Sequence, residues 1–220
     1  MIRVGHTAVK SFILNKINSN QARERLIACI KVAVSCKTDF PLNKHPLRII
    51  QSAKSLIGLN PEVVDGRLID WLENYIYSFE IMDINKVEIS PIEVEDYASM
   101  IEFENHLNNG NFNQLKIISS KLLTVSSGEP LFESILYYSL KRQDLFLFNL
   151  SLYRSLMFCS GEDKEKFLGL AIKILKENFE PINNINIIKL NLISFGGEIL
   201  DLVAGYMQII NLPLVRKDKI

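Results

Sequence analysis

A chain of 220 residues, 48% hydrophobic and 23% charged, is long enough to bury a substantial core and has the mixture of a globular protein, which excludes a disordered or fibrous one. Its 25 basic residues balance 25 acidic ones, so no global field favours nucleic acid or an anionic membrane surface, and neither is expected as a partner. Three cysteines, an odd number, do not form a secreted disulfide framework and read as buried thiols of a reducing compartment.

The periodicity is helical nearly from the start. A first helix is expected over about 6–17, with Val9, Phe12, Ile13 and Ile17 on one stripe. "NSNQARER" restarts a helix near position 20 that turns Leu26, Cys29, Ile30 and Ala33 inward. Pro41 and Pro46 then break it, because the residue before a proline avoids the helical region. Pro46 suits the first turn of a helix running to about Ile57.

Further starts follow the same chemistry. Asn60 before Pro61 reads as an N-cap, and Ser90, Pro91 and Glu93 form a capping-box pattern. Asn111, the "GEPLFE" stretch with Pro130 and Glu133, and Ser160 mark three more. "INKVEISPIEV" alternates apolar and polar residues and reads as an extended linker; "NINIIKLNLI" reads as a β-branched helix start. Glu198 and Asp201 interrupt the apolar stretch near the C-terminus, so a buried helix over about 196–211 is expected there and not a membrane span.

These elements predict an all-α fold of about ten helices packed as antiparallel hairpins, in one domain over 1–220. A faint echo between "LIACIKVAVSCKTDFP" and "FLGLAIKILKENFEP" allows two helical halves, 1–83 and 91–220. No secretory signal stands at the start, and a cytoplasmic location is the expectation.

Residues that could carry chemistry are few. No cofactor motif is present, and none of the histidines has the spacing of a paired metal ligand. His6 lies on the apolar side of the first helix near its N-terminus, where the dipole favours the neutral imidazole; it is the candidate catalytic base or ligand. Glu95, Glu102 and His106 fall at i, i+7 and i+11 and could share one helix face as metal ligands, with Glu73 and Glu80 as donors from a second helix. Phe103 occupies the place of the glutamate in the Glu-x-x-His motif of di-iron bundles. His45, with Lys44 and Arg48 around a helix start, could touch an anion. Tyr137, Tyr138, Tyr153 and Phe158, in an aromatic-rich stretch, are candidates for lining an apolar ligand pocket.

"GHTAVKSF" resembles the opening of an apolar helix in the helical questin-oxidase-like group, where a Gly-His or similar pair stands at that place. The likeness covers about a dozen residues without a second diagnostic motif, so it carries over no catalytic residue. Three functions follow from the whole reading. The chain is a helical scaffold or protein-interaction module with an exposed apolar or aromatic groove. Alternatively, it is an all-α oxidoreductase or cofactor- or metal-binding protein using His6 or the Glu95/Glu102/His106 face, or an oligomer subunit that buries its C-terminal apolar helix.

Overall fold

The computed structural model describes residues 16–59, 61–62, 64–82 and 98–179, and within them the chain is all-α with a single two-stranded ribbon. The helices are α1 (Ser19–Val34), α2 (Pro46–Leu59), α3 (Gly66–Tyr77), α4 (Met100–Asn108), α5 (Phe112–Val125), α6 (Glu129–Ser139), α7 (Gln143–Ser155) and α8 (Gly161–Glu177). Two short 3₁₀ turns, Leu42–Lys44 and Leu156–Phe158, lead into α2 and out of α7. These eight described α-helices stand beside the ten or so expected for the whole chain. His6, Glu95, the Ser90 cap, both alternating stretches and the 196–211 segment lie outside the described residues.

Capping chemistry sets most boundaries. Asn18 and Gln21 close a capping box at α1, with Gln21 N donating to Asn18 Oδ1 at 2.8 Å. Ser99 and Glu102 do the same at α4, and Ser160 and Asp163 at α8. Two expectations are corrected. Lys16 and Ile17, placed at the end of a helix by periodicity, form β1, which pairs antiparallel with β2 (Val64–Asp65). The cap of α3 is not Asn60 but Asp65, whose carboxylate accepts from Arg67 N at 3.0 Å. The ribbon takes Val64 and Asp65, so the helix begins five positions later than the Asn-Pro signal suggests.

The main apolar core runs from Ala22 in α1 to Leu175 in α8, and a smaller cluster of Leu136, Phe146, Leu147 and Leu150 lies between α6 and α7. Helices α1, α2 and α3 pack on one another, α4 packs on α5 and α6, and α5 on α8. Helix α7 joins the two groups by touching α2, α6 and α8. Its residues 145–152 are all buried, two of them the polar Asn149 and Ser151, so it is covered on every side and central to the fold. Ser139 and Asn149 meet near the three-residue α6–α7 connection, and Glu133 meets Tyr153 farther along, so this pair runs antiparallel. Beyond α3 the chain returns past the end of α1, where Lys37 N donates to Glu80 O at 2.8 Å and Met82 N to Ser35 O at 2.6 Å. Gly110 ends the α4 turn at φ 69°, where an added Cβ would lie 2.5 Å from the Phe179 ring; both the conformation and the space call for glycine.

Candidate binding surface

The stretch "WLENYIYSF" puts Trp71, Tyr75 and Phe79 at i, i+4 and i+8, one ring above the next along the outer face of α3 and its exit. The Trp71 and Tyr75 rings lie nearly parallel, 18° apart, with centroids at 5.6 Å. Tyr75 meets Phe79 edge-on at 5.0 Å, Phe79 meets Phe40 at 4.8 Å, and Phe40 lies 5.7 Å from His45. His45 in turn stands edge-on to Phe148 of α7 at 4.9 Å. Six rings therefore run without a break from a tryptophan that is 52% exposed to a phenylalanine that is 0% exposed. The Tyr75 hydroxyl donates to the Lys44 carbonyl at 2.7 Å and fixes the middle of the ladder.

His45 is wholly buried and serves as the cap of α2. Its Nδ1 accepts from Leu47 N at 3.2 Å, while its carbonyl accepts from Arg48 N at 2.9 Å and Ile49 N at 3.4 Å. Pro46 has no N–H, so the first amides of α2 are all spoken for. That overturns the anion reading of His45, Lys44 and Arg48: no amide donor remains there. The acceptor role of Nδ1 assigns the imidazole proton to Nε2, which is buried without a hydrogen-bond partner. Burial, helped by the positive charge of Lys173, pushes the His45 pKa down to about 3, so the ring is neutral across the physiological range.

On α3 and beside it the charges are neutralised in pairs. Arg25 makes a bidentate contact with Glu73, at 2.7 Å and 2.6 Å, and reaches Asp70 at 2.7 Å. Arg67 folds back on Asp65, and Lys37 pairs with Glu80. Glu73 and Glu80, considered as metal donors, are thus held by Arg25 and Lys37. Tyr77, at 69%, and Ile81, at 54%, are further exposed apolar side chains on and after α3.

The other sequence-selected residues have separate surroundings. Glu102 is turned back into its own cap, taking an N–H bond from Ser99 at 3.0 Å. His106, four residues on and half-buried, keeps a buried Nδ1 without a hydrogen-bond partner. Among the described residues no group of three or more His, Cys, Asp or Glu side chains could hold a metal ion. Tyr138 is buried beneath Lys141, whose Nζ stands 3.6 Å from its ring; Tyr137 is half-buried beside it on α6. Tyr153 donates to Glu133 Oε1 at 3.3 Å, and burial together with that carboxylate pushes its phenol up to about 12. Burial likewise raises the Glu133 carboxyl, against the lowering effect of the Tyr153 bond. Phe158 lies under Lys54 at 3.9 Å. The three cysteines are free thiols, each pushed up to about 11 chiefly by burial.

In the sequence this ring series is outweighed by the longer aromatic run at 137–158. Its signal is the helical spacing of Trp71, Tyr75 and Phe79, which steps from the face away from Ile69, Leu72 and Ile76 towards the buried side.

Together, fold and surface define an all-α protein of packed helices with a preformed aromatic patch. No family model, no curated protein and no solved structure matches the chain. Among the described residues no helix is long and apolar enough to cross a membrane.

Proposed function

We propose that the chain is a helical protein-interaction module whose docking face is the outer side of α3, centred on Trp71. The observation that carries this reading is the half-exposed Trp71 ring lying flat on Tyr75, at the head of a ring ladder anchored in the core. A side chain held in that way loses little conformational freedom when it is covered, so most of its burial energy goes into binding. Tryptophan and tyrosine are the residue types that dominate binding energy at protein interfaces. The charges of α3 are held in pairs, so the exposed ring stands without an unpaired charge of that helix competing for its partner.

Trp71 is the chain's one tryptophan, so its fluorescence reports the face directly. Proteins captured by the immobilised chain are compared with those captured by Trp71→Ala. A true partner binds the wild type at least about tenfold more tightly than the variant and shifts Trp71 emission to shorter wavelength, as burial of a hot-spot tryptophan requires. Equal capture by both proteins, or binding that leaves the emission unmoved, refutes the assignment.

A further inference from the structure

Helix α7 has two apolar faces. Leu145, Phe148 and Leu152, at i, i+3 and i+7, belong to the main core. Phe146, Leu147 and Leu150 lie on the opposite side of the helix and form the smaller cluster with Leu136 of α6. Among the described residues the apolar members of this cluster all come from α6, α7 and the turn between them, with Leu140 and Tyr153 packed at its edge. Helix α6 meets α7 through Asn149 and Tyr153. Leu147 stands about 120–160° round the helix from those two, on the flank that α6 does not reach. A pair of helices by itself leaves such a flank in solvent, yet Leu147 is 2% exposed and Leu150 3%. A side chain buried that deeply touches about six to twelve others.

The chain leaves α8 beside this face. Lys141, in the α6–α7 turn, holds its Nζ 3.6 Å from the Tyr138 ring and 5.8 Å from the Phe179 ring, and its neighbour Leu140 packs on the cluster. Phe179 is fixed there by its edge-on contact with Phe112, centroids 5.4 Å apart. The residues after Phe179 therefore set out from the border of the face.

Their sequence carries the complementary pattern. Ile199, Leu202, Val203, Tyr206 and Ile210 recur at i, i+3, i+4, i+7 and i+11, with Asp201, Gly205 and Gln208 between them. That is the spacing of an amphipathic helix with one apolar stripe, and twelve residues of it would measure about 18 Å, close to the length of α7. The stretch 83–97 suits the face less well, because Asp83, Glu88, Glu93, Glu95 and Asp96 crowd it with charge. The residues before Lys16 set out from the ribbon beside α1 and α3, in the other helix group.

We propose that residues 199–210 dock as an amphipathic helix on the α6–α7 face of their own chain, laying the Ile199–Ile210 stripe against Leu136, Phe146, Leu147 and Leu150. A tethered segment acts at about millimolar effective concentration, so this face is closed to other chains while the segment is in place.

The test uses the full chain with Tyr206→p-benzoylphenylalanine, a photo-crosslinker of similar shape, irradiated at low concentration and mapped by peptide mass spectrometry. The crosslinks should run to peptides of α6 and α7 and leave the mass of a monomer on a denaturing gel. Crosslinks that join two chains would assign the face to a second copy and overturn the proposal, as would crosslinks to other helices or none at all. Adding Val203→Asp should cut the yield roughly tenfold, since an unpaired carboxylate then has to enter an apolar contact. Adding Asp201→Asn, on the polar side of the stripe, should leave it unchanged. Equal yields from these two additions would mean that the apolar stripe is not what docks, which also overturns the proposal.

Discussion

Helix α7 is buried on every side from Leu145 to Leu152, whereas α3 buries Ile69, Leu72 and Ile76 and leaves Trp71 half in solvent. Both are rich in aromatic residues, yet they use them in opposite ways. In α7 the rings are interspersed with leucines around the circumference, so every direction finds apolar neighbours and the helix sinks to the centre. In α3 the ring of Trp71 stands on a face otherwise made of Arg67, Asn74 and Ser78, so it stays outside and stacks on Tyr75, which is half-buried against the core. Aromatic density marks a core, while aromatic spacing on a polar face marks a surface. The ladder through Phe40 and His45 ties the two together, and its ends should respond very differently to change.

The largest difference is expected at the inner end. Phe148→Ala removes a wholly buried ring that touches His45 and leaves a cavity between α2 and α7, costing about 3–5 kcal/mol of unfolding free energy in urea. A cost below about 1 kcal/mol would mean that α7 is not the centre it is taken to be. The middle of the ladder should answer to pH. The folded pKa of His45, about 3, lies below the ordinary value of 6.5, so the unfolded chain binds the proton first. Its contribution is fully present above about pH 6.5 and is lost progressively as pH falls towards 3, at roughly 1.4 kcal/mol per pH unit. Between about pH 6.5 and 5 the chain should therefore lose about 2 kcal/mol beyond what His45→Asn loses, since asparagine can still cap α2 but does not titrate. Parallel stability–pH curves for the two proteins would show that His45 is not held neutral by its surroundings.

Much of the fold was legible because its signals are local. Pro46 at a first helical turn, Ser160 with an acid three residues on, and the inward stripe of Leu26, Cys29, Ile30 and Ala33 each specify a helix by backbone and periodicity alone. What was not legible depends on contacts across the chain. The β1–β2 ribbon joins residues nearly fifty positions apart, and nothing in "KI" or "VD" announces it. His45 read as a loop residue near cations; only the arrival of Phe148 from α7 makes it a buried cap, and no spacing rule reaches that far. Glu102 and His106 stand four apart on α4, but the serine at position 99 claims Glu102 for the helix start.

The smallest expected effect is at the outer end of the ladder, and it is the one that separates binding from folding. Trp71 stacks on Tyr75 but fills no cavity, and Tyr75 keeps its own bond to the Lys44 carbonyl when the indole is gone. Trp71→Ala should thus cost less than about 1 kcal/mol in stability, the value of one exposed aromatic pair. Its denaturant midpoint, followed by circular dichroism because the only tryptophan is lost, should stay close to that of the wild type. Should Trp71→Ala destabilise the chain as much as Phe148→Ala, the indole is part of the packing and the contrast between α3 and α7 collapses. If stability holds while partner binding falls, the exposed ring is there to be covered, because a residue that contributes so little to the fold has only its surface left to act through.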